Sequence, residues 1–197
     1  EYEEKNLPLL KEIIEATKQY KNQIKKVFVK TPTLSNLYKY QLYLALKLMA
    51  TSTPFRNDLP TLNVEKQKGN YITKQKNQYT IVMTSYKNSD KLGKREIKLD
   101  RSASMELKKF LSYRDKVDLN HDFLFSLKNG RPMSKSAFSQ ALISLTQKLL
   151  DKKVGSRIIR VAFATSKKAE LEEADKLVNN MLHSKTGKQT RKYVRKD

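Results

Sequence analysis

In the first quarter of the chain, apolar residues recur at the three- or four-residue spacing of an α-helix. Residues 7–26 predict one such helix, with Pro8 in its first turn, where a missing backbone N–H costs nothing. Residues 34–49 predict a second helix, which ends before the break at 51–54. The residues predicted to form its buried face are Leu37, Tyr40, Leu44 and Leu48.

The spacing then changes to the two-residue period of β-strands. Short segments rich in β-branched and aromatic residues alternate there with turn residues. The predicted strands cover 62–67, 70–74, 78–84 and 94–99. Asn, Ser, Asp and Gly between 87 and 93 predict a longer, flexible hairpin loop before the last strand. The segment therefore predicts a small antiparallel sheet within a mostly helical chain.

Helical periodicity returns after the sheet, over about 102–113, with Ser102 or Ser104 as the N-cap. Further helices are predicted over 134–150 and 156–165, each capped by its opening serine, and over 170–182. The tail that follows is polar and basic. There is no internal repeat and no interdomain linker, so we predict a single α+β domain over residues 1–197.

The charge balance indicates a polyanionic partner. Lys and Arg number 41 against 20 acidic residues, for a net charge of +21. Such an excess destabilises a compact fold through self-repulsion unless a polyanion binds. Nucleic acid is favoured over a membrane surface, because no sustained basic helix has an aromatic face. A lysine-rich surface that serves only solubility is the alternative interpretation.

The rarer residue types limit the possible chemistry. With no cysteine, the chain has no disulfide, thiolate metal site or cysteine nucleophile. Its two histidines lack metal-ligand spacing. Only nine of the 41 basic residues are arginine, the side chain whose planar fork fits a phosphate in bidentate fashion. Four of these lie near the C-terminus, at Arg157, Arg160, Arg191 and Arg195.

Two segments in this C-terminal part carry a family resemblance. Arg157-Ile158-Ile159-Arg160-Val161-Ala162-Phe163-Ala164-Thr165 places two cations three residues apart, on one face of a helix start. Met181-Leu182-His183-Ser184 follows, and Tyr193 comes ten positions after His183. In this order they resemble the second basic motif, the Leu-Gly-His-Ser element and the nucleophilic tyrosine of the tyrosine recombinases.

Segments nearer the N-terminus extend the resemblance to roughly residues 34–197. Arg56, in the Arg-Asn-Asp turn between a helix and the first strand, matches the position of the family's first arginine. Lys87 matches the family's β-hairpin lysine, although Lys91 and Lys94 on the same loop compete for that assignment. The segment 122–134 resembles the connector before the second motif. The turn and the hairpin are most similar to versions in viruses and other mobile elements.

The resemblance implies a mostly helical α+β fold with a three-stranded antiparallel sheet, and a metal-free, cofactor-free phosphoryl transfer on DNA. Tyr193 would attack the scissile phosphate to give a 3′-phosphotyrosyl enzyme. Arg56 and Arg160 would clamp the phosphate oxygens, Lys87 would protonate the leaving 5′-oxygen, and His183 would donate a hydrogen bond. Arg157 occupies the position of the family's general base.

The resemblance also implies partners and context. The partner would be double-stranded DNA, bound by a homotetramer, with no membrane involved. Because the chain begins with Glu1 rather than Met, we expect a fragment whose N-terminal core-binding domain lies upstream. The protein would act wherever its target DNA lies, in a bacterial cytoplasm, a host nucleus or a viral factory.

Departures from the family pattern keep two other functions open. Arg157 does not release its proton, Leu182 replaces a glycine, and one extra residue before Tyr193 shifts its helical phase by about 100°. A type IB topoisomerase has the same chemistry and would relax supercoils as a monomer. A catalytically silent DNA-binding domain on the same fold would bind DNA without forming a covalent adduct.

Overall fold

The computed structural model describes residues 7–52, 55–65, 69–168, 170, 172–173 and 176. Within these ranges the longer helices are α1 (Leu10–Gln23), α2 (Leu34–Thr51), α4 (Arg101–Arg114), α5 (Lys135–Leu150) and α6 (Ser156–Ser166). The strands are β1 (Tyr71–Gln75), β2 (Gln78–Met83) and β3 (Arg95–Lys98), and a one-turn helix, α3 (Ser89–Leu92), precedes β3. Single 3₁₀ turns cover Lys25–Phe28 and Leu59–Thr61.

Helix α2 forms the centre of the core. It contacts α1, α4, α5 and α6, and residues on almost every side of it are buried, as expected of a helix that is apolar around most of its circumference. All four residues predicted for its buried face are buried. Phe110 of α4 and Phe138 of α5 are fully buried, and Phe125 of the connector packs between them.

The sheet is three-stranded and antiparallel, in the order β1-β2-β3, as the resemblance implied. Ile81 in the central strand pairs with Ile72 on one side and Ile97 on the other. The strand predicted over 62–67 is wrong in its described part, because Asn63 forms only isolated bridges to Tyr71 and Phe123. The hairpin loop predicted between 87 and 93 contains the helical turn α3.

The predicted helix starts were close but not all correct. Helix α1 begins at Leu10, so Pro8 precedes the first turn, and the Glu12 carboxylate accepts a hydrogen bond from the N–H of Leu9 at 2.6 Å. Helix α4 is capped by Asp100, which accepts from the N–H of Ala103 at 2.8 Å, and not by either serine. Ser134 caps α5 as predicted.

The N-cap of helix α6 lies one residue earlier than predicted. Gly155 is its N-cap, and Ser156 is already the first helical residue. The predicted helix over 170–182 lies mostly outside the described residues. Among the helices that the structure describes, none combines the length and the apolar character needed to cross a membrane.

Candidate active site

A cleft of about 520 Å³ lies where the turn after α2, the loop after β2 and the starts of α5 and α6 meet. Most of its lining is polar or charged, and five of the lining residues are basic. Among the described residues, the lining consists of Arg56, Asn57, Asp58, Ser85, Tyr86, Lys87, Lys135, Ser156, Arg157 and Arg160. Four of these, Arg56, Lys87, Arg157 and Arg160, are site residues that the sequence predicts.

The arginines of α6 reach the cleft because the opposite side of this helix is buried. Ile159 is fully buried and Ala162 nearly so, whereas Arg157 is exposed and Arg160 is half-buried. The loop before α6 is fixed to α5 by the Thr146 hydroxyl, which accepts from the N–H of Val154 at 3.0 Å. The start of α6, and with it both arginines, is thereby held against the core.

The turn after α2 presents Arg56 in a similar way. Phe55 and Leu59 on either side of the turn are buried, so the exposed Arg56 lies on the cleft side. Asp58 is also buried, and its carboxylate forms an ion pair with Lys135 at the start of α5. This pair joins two elements that are far apart in sequence, and it gives the cleft its one acidic residue among those described.

Of the three lysines that compete on the hairpin loop, Lys87 lines the cleft. Lys94 instead forms an ion pair with Glu96 at 2.6 Å, and this pairing raises the pKa of Lys94 and lowers that of Glu96. Lys91 is exposed on α3 and is not among the described lining residues. The geometry therefore favours Lys87 as the lysine of the site.

The cleft is strongly electropositive. Among the described lining residues, five are basic and one, Asp58, is acidic, and the Asp58 carboxylate is already paired with Lys135. In the part of the chain that the structure describes, the side chains of Arg56, Lys87, Arg157 and Arg160 form no hydrogen bond or ion pair. Such a group of unpaired cations fits an anion with several oxygens, above all a phosphate, which accepts the forked hydrogen bonds of guanidinium groups.

His183 and Tyr193, the remaining predicted site residues, lie outside the described residues.

Sequence reasoning missed the pair Asp58–Lys135, because nothing distinguishes Lys135 from the other lysines before the fold brings it to Asp58. Within the described ranges, no group of three or more His, Asp or Glu residues could hold a metal ion.

The connector before α5 is held by a buried arginine. Arg114 of α4 donates to the carbonyl oxygens of His121 and Phe123, at 2.6 and 2.8 Å through Nη2. Burial lowers the pKa of Arg114. Burial, and secondarily the charge of Arg114, lower the pKa of His121. Gln41 of α2 binds the same connector through both backbone groups of Ser126, at 2.7 and 3.0 Å, so this segment is fixed to α2 and α4.

Comparison with known proteins finds a likeness in structure alone, since no protein-family model and no curated protein matches this chain. The solved structures that it resembles include XerH site-specific recombinase bound to palindromic difH substrate, in a post-cleavage complex. That structure has a TM-score of 0.57 and 17% identity over 95% of this chain and 48% of the recombinase. The pre-cleavage complex of XerH with difH has a TM-score of 0.54 and the same identity and coverage.

XerA recombinase is similar at a TM-score of 0.54 and 19% identity, over 95% of this chain and 58% of XerA. The chain thus spans about half the length of these recombinases. The chain has the catalytic-domain fold of the tyrosine recombinases.

Proposed function

We propose that this protein is a site-specific DNA recombinase, which cleaves and rejoins DNA strands through a 3′-phosphotyrosyl intermediate. The observation that carries the proposal is the meeting of Arg56, Lys87, Arg157 and Arg160 in one cleft of this fold, without a partner among the described residues. These residues come from three separate parts of the chain. Their convergence supports the assignment that the sequence motifs predicted one at a time.

In the proposed reaction, the phenol oxygen of Tyr193 attacks the scissile phosphorus while the bond from phosphorus to the 5′-oxygen breaks. The phenolic proton leaves to solvent, and the Lys87 ammonium gives a proton to the 5′-oxygen. The products are a 3′-phosphotyrosyl protein and a free 5′-hydroxyl. In rejoining, a 5′-hydroxyl attacks the same phosphorus and returns its proton to Lys87, while the released phenolate takes a proton from solvent.

Arg56 and Arg160 stabilise the negative charge that develops on the non-bridging oxygens, and His183 donates a further hydrogen bond. Loss of one such donor typically lowers a rate by about 10²- to 10³-fold. Arg157 serves as a third cation rather than as a base, because a guanidinium does not release its proton near neutral pH. A tyrosine brought beside these cations would be favoured in its phenolate form, which would reduce the need for a general base.

The proposed partner is double-stranded DNA. The net charge of +21 supports this partner, and the cleft suits one phosphate of the backbone at a time. Two strands must be exchanged between two duplexes in recombination, so we further propose that four copies assemble on DNA. The viral or mobile-element origin suggested by the motifs would fit such an activity.

A covalent trapping experiment tests the proposal. The protein is incubated with nicked duplexes of randomised sequence, from which the short cleaved product diffuses away, and adducts are separated on a denaturing gel. We expect an adduct with the unchanged protein and none with Tyr193→Phe. The matched control is Tyr38→Phe, which removes a phenol hydroxyl outside the cleft lining and should leave the adduct intact.

Other results would replace the proposal. An adduct that survives Tyr193→Phe would identify another nucleophile. Tight, salt-sensitive DNA binding without an adduct on any duplex would indicate a DNA-binding protein that does not cleave. Relaxation of supercoiled plasmid by a monomer, without a preferred sequence, would indicate a type IB topoisomerase.

A further inference from the structure

Asn70, directly before β1, uses its side chain to hold the backbone where β2 ends. Its Oδ1 accepts from the N–H groups of Thr84 and Ser85, at 2.9 and 2.8 Å. Its Nδ2 donates to the carbonyl oxygen of Ser85 at 2.7 Å. Asn70 is 5% exposed, so its side chain is buried, whereas its partners Thr84 and Ser85 are exposed. The side chain thus binds both backbone groups of Ser85.

These bonds replace the sheet ladder at a point where it has stopped. The pairing of β1 with β2 runs from Gln75↔Gln78 to Tyr71↔Val82, and β2 ends at Met83. Beyond it, Thr84 and Ser85 pair with no strand among the described residues, and the Asn70 amide takes that place. Asn70 is itself anchored, since its carbonyl oxygen accepts from the backbone N–H of Asn63 at 2.8 Å.

The segment that Asn70 holds leads directly into the cleft. Ser85, Tyr86 and Lys87 are consecutive lining residues. The other end of the loop is closed by the Tyr86 hydroxyl, which donates to the carbonyl oxygen of Gly93 at 2.8 Å. The exposed Lys87 side chain has no bond of its own within the described residues, so its position depends on the backbone that carries it.

We propose that Asn70 is a positioning residue for Lys87: it fixes the backbone two residues before the lysine, so that the ammonium group reaches the leaving 5′-oxygen. The inference rests on the proposed function. The proposed role of Asn70 differs from a purely structural role in one respect. A structural defect slows every step at the site, whereas a misplaced Lys87 slows only reactions whose leaving group needs its proton.

The test compares two duplexes that differ in one atom, the bridging 5′-atom at the scissile phosphate, which is oxygen or sulfur. A thiol has a pKa of about 8.5, so a thiolate leaves without a proton, whereas an alkoxide needs one. The duplex is the one that gives the most adduct in the randomised selection. The rate of adduct formation is measured for the unchanged chain and for Asn70→Ala, Lys87→Ala and the double variant.

With the oxygen duplex, we expect Asn70→Ala to form adduct at least about tenfold more slowly than the unchanged chain. The reason is that general-acid catalysis contributes about 10²- to 10⁴-fold, and a misplaced Lys87 loses part of that contribution. With the sulfur duplex, its rate should return to within about twofold of the unchanged chain. Because Asn70 acts through Lys87, the double variant should be no slower than Lys87→Ala alone. Asn77→Ala, at the exposed turn on the far end of the same hairpin, is the matched control and should match the unchanged chain.

Two results would overturn the inference while leaving the proposed function standing. One is equal slowing of Asn70→Ala on both duplexes, and the other is a double variant that is slower than Lys87→Ala. No adduct with the unchanged chain would overturn both. If Asn70→Ala does not fold, Asn70→Asp decides the question. This variant keeps the acceptor for Thr84 and Ser85 and loses the donor to Ser85, so it should show the same oxygen-specific defect to a smaller degree.

Discussion

Replacing Thr146 by valine should loosen the junction that holds the start of α6. The Thr146 hydroxyl accepts from the N–H of Val154 and donates to the carbonyl oxygen of either Val154 or Ile143, each at 3.0 Å. Thr146 is 1% exposed and Val154 is fully buried. Valine has nearly the same shape, so the change removes hydrogen bonds without creating a large cavity.

The expected cost follows from what is left without a partner. The Val154 N–H would remain buried with no acceptor, which costs about 1–3 kcal/mol, and one further hydrogen bond is lost at about 1 kcal/mol. The added methyl group recovers part of this through burial, at about 0.8 kcal/mol. We therefore expect Thr146→Val to lower the free energy of unfolding by about 2 kcal/mol, measured by urea denaturation with an unchanged slope.

Thr17→Val provides a matched control. Thr17 of α1 is also buried, and its hydroxyl donates to the carbonyl oxygen of Ile13 one helical turn earlier, at 2.7 Å. That carbonyl lies in the interior of a helix and keeps its backbone hydrogen bond when the hydroxyl is removed. Thr17→Val should therefore cost less than about 0.5 kcal/mol. Equal losses for the two variants would refute the reasoning that the unpaired Val154 N–H sets the cost.

Three further predictions concern the charged and titrating groups. Arg114→Met, which removes the bonds to the connector carbonyls, should lower the free energy of unfolding by about 3 kcal/mol in urea denaturation, because both acceptors stay partly buried. Folding lowers the pKa of His121 from 6.5, so below that pH the unfolded chain binds more protons than the folded chain. The free energy of unfolding should therefore fall as the pH drops below about 6.5, and it should fall less in His121→Asn. Arg157→Gln should reduce the slope of log Kd for DNA against log salt by about 0.9, and a slope that stays the same would exclude a phosphate contact.

The extent to which the sequence predicts the fold depends on whether the signal is local. Helix α2 was predicted almost to its ends because its apolar residues recur over many turns. The strand predicted over 62–67 is wrong in its described part, 62–65, because the sequence of one segment does not show whether a partner strand is present. The caps of α4 and α6 were each missed in favour of a nearby serine, since Asp100 and Gly155 adjoin residues that could serve as well.

The site shows the same division. The motifs around Arg56, Lys87, Arg157 and Arg160 single out four residues that line one cleft, and their catalytic roles stay a prediction. Lys135 could not be predicted, because its partner Asp58 is 77 positions away and only the packing of α5 against the Leu59–Thr61 turn brings them together. The contacts of Asn70 with Thr84 and Ser85 are equally non-local.

The cations of the cleft, which have no partner among the described residues, lie on segments that are anchored to the core. Like charges that share one cleft repel one another. Each cation-bearing segment is held by buried contacts close by: Phe55 and Leu59 beside Arg56, the Asn70 amide before Lys87, and Ile159 between the arginines of α6. A phosphate would reduce this repulsion on binding, whereas moving the backbone segments apart would break buried contacts of the core. The fold thus keeps the backbone of these residues in place before an anion arrives, and preorganisation of this kind helps to stabilise a developing negative charge.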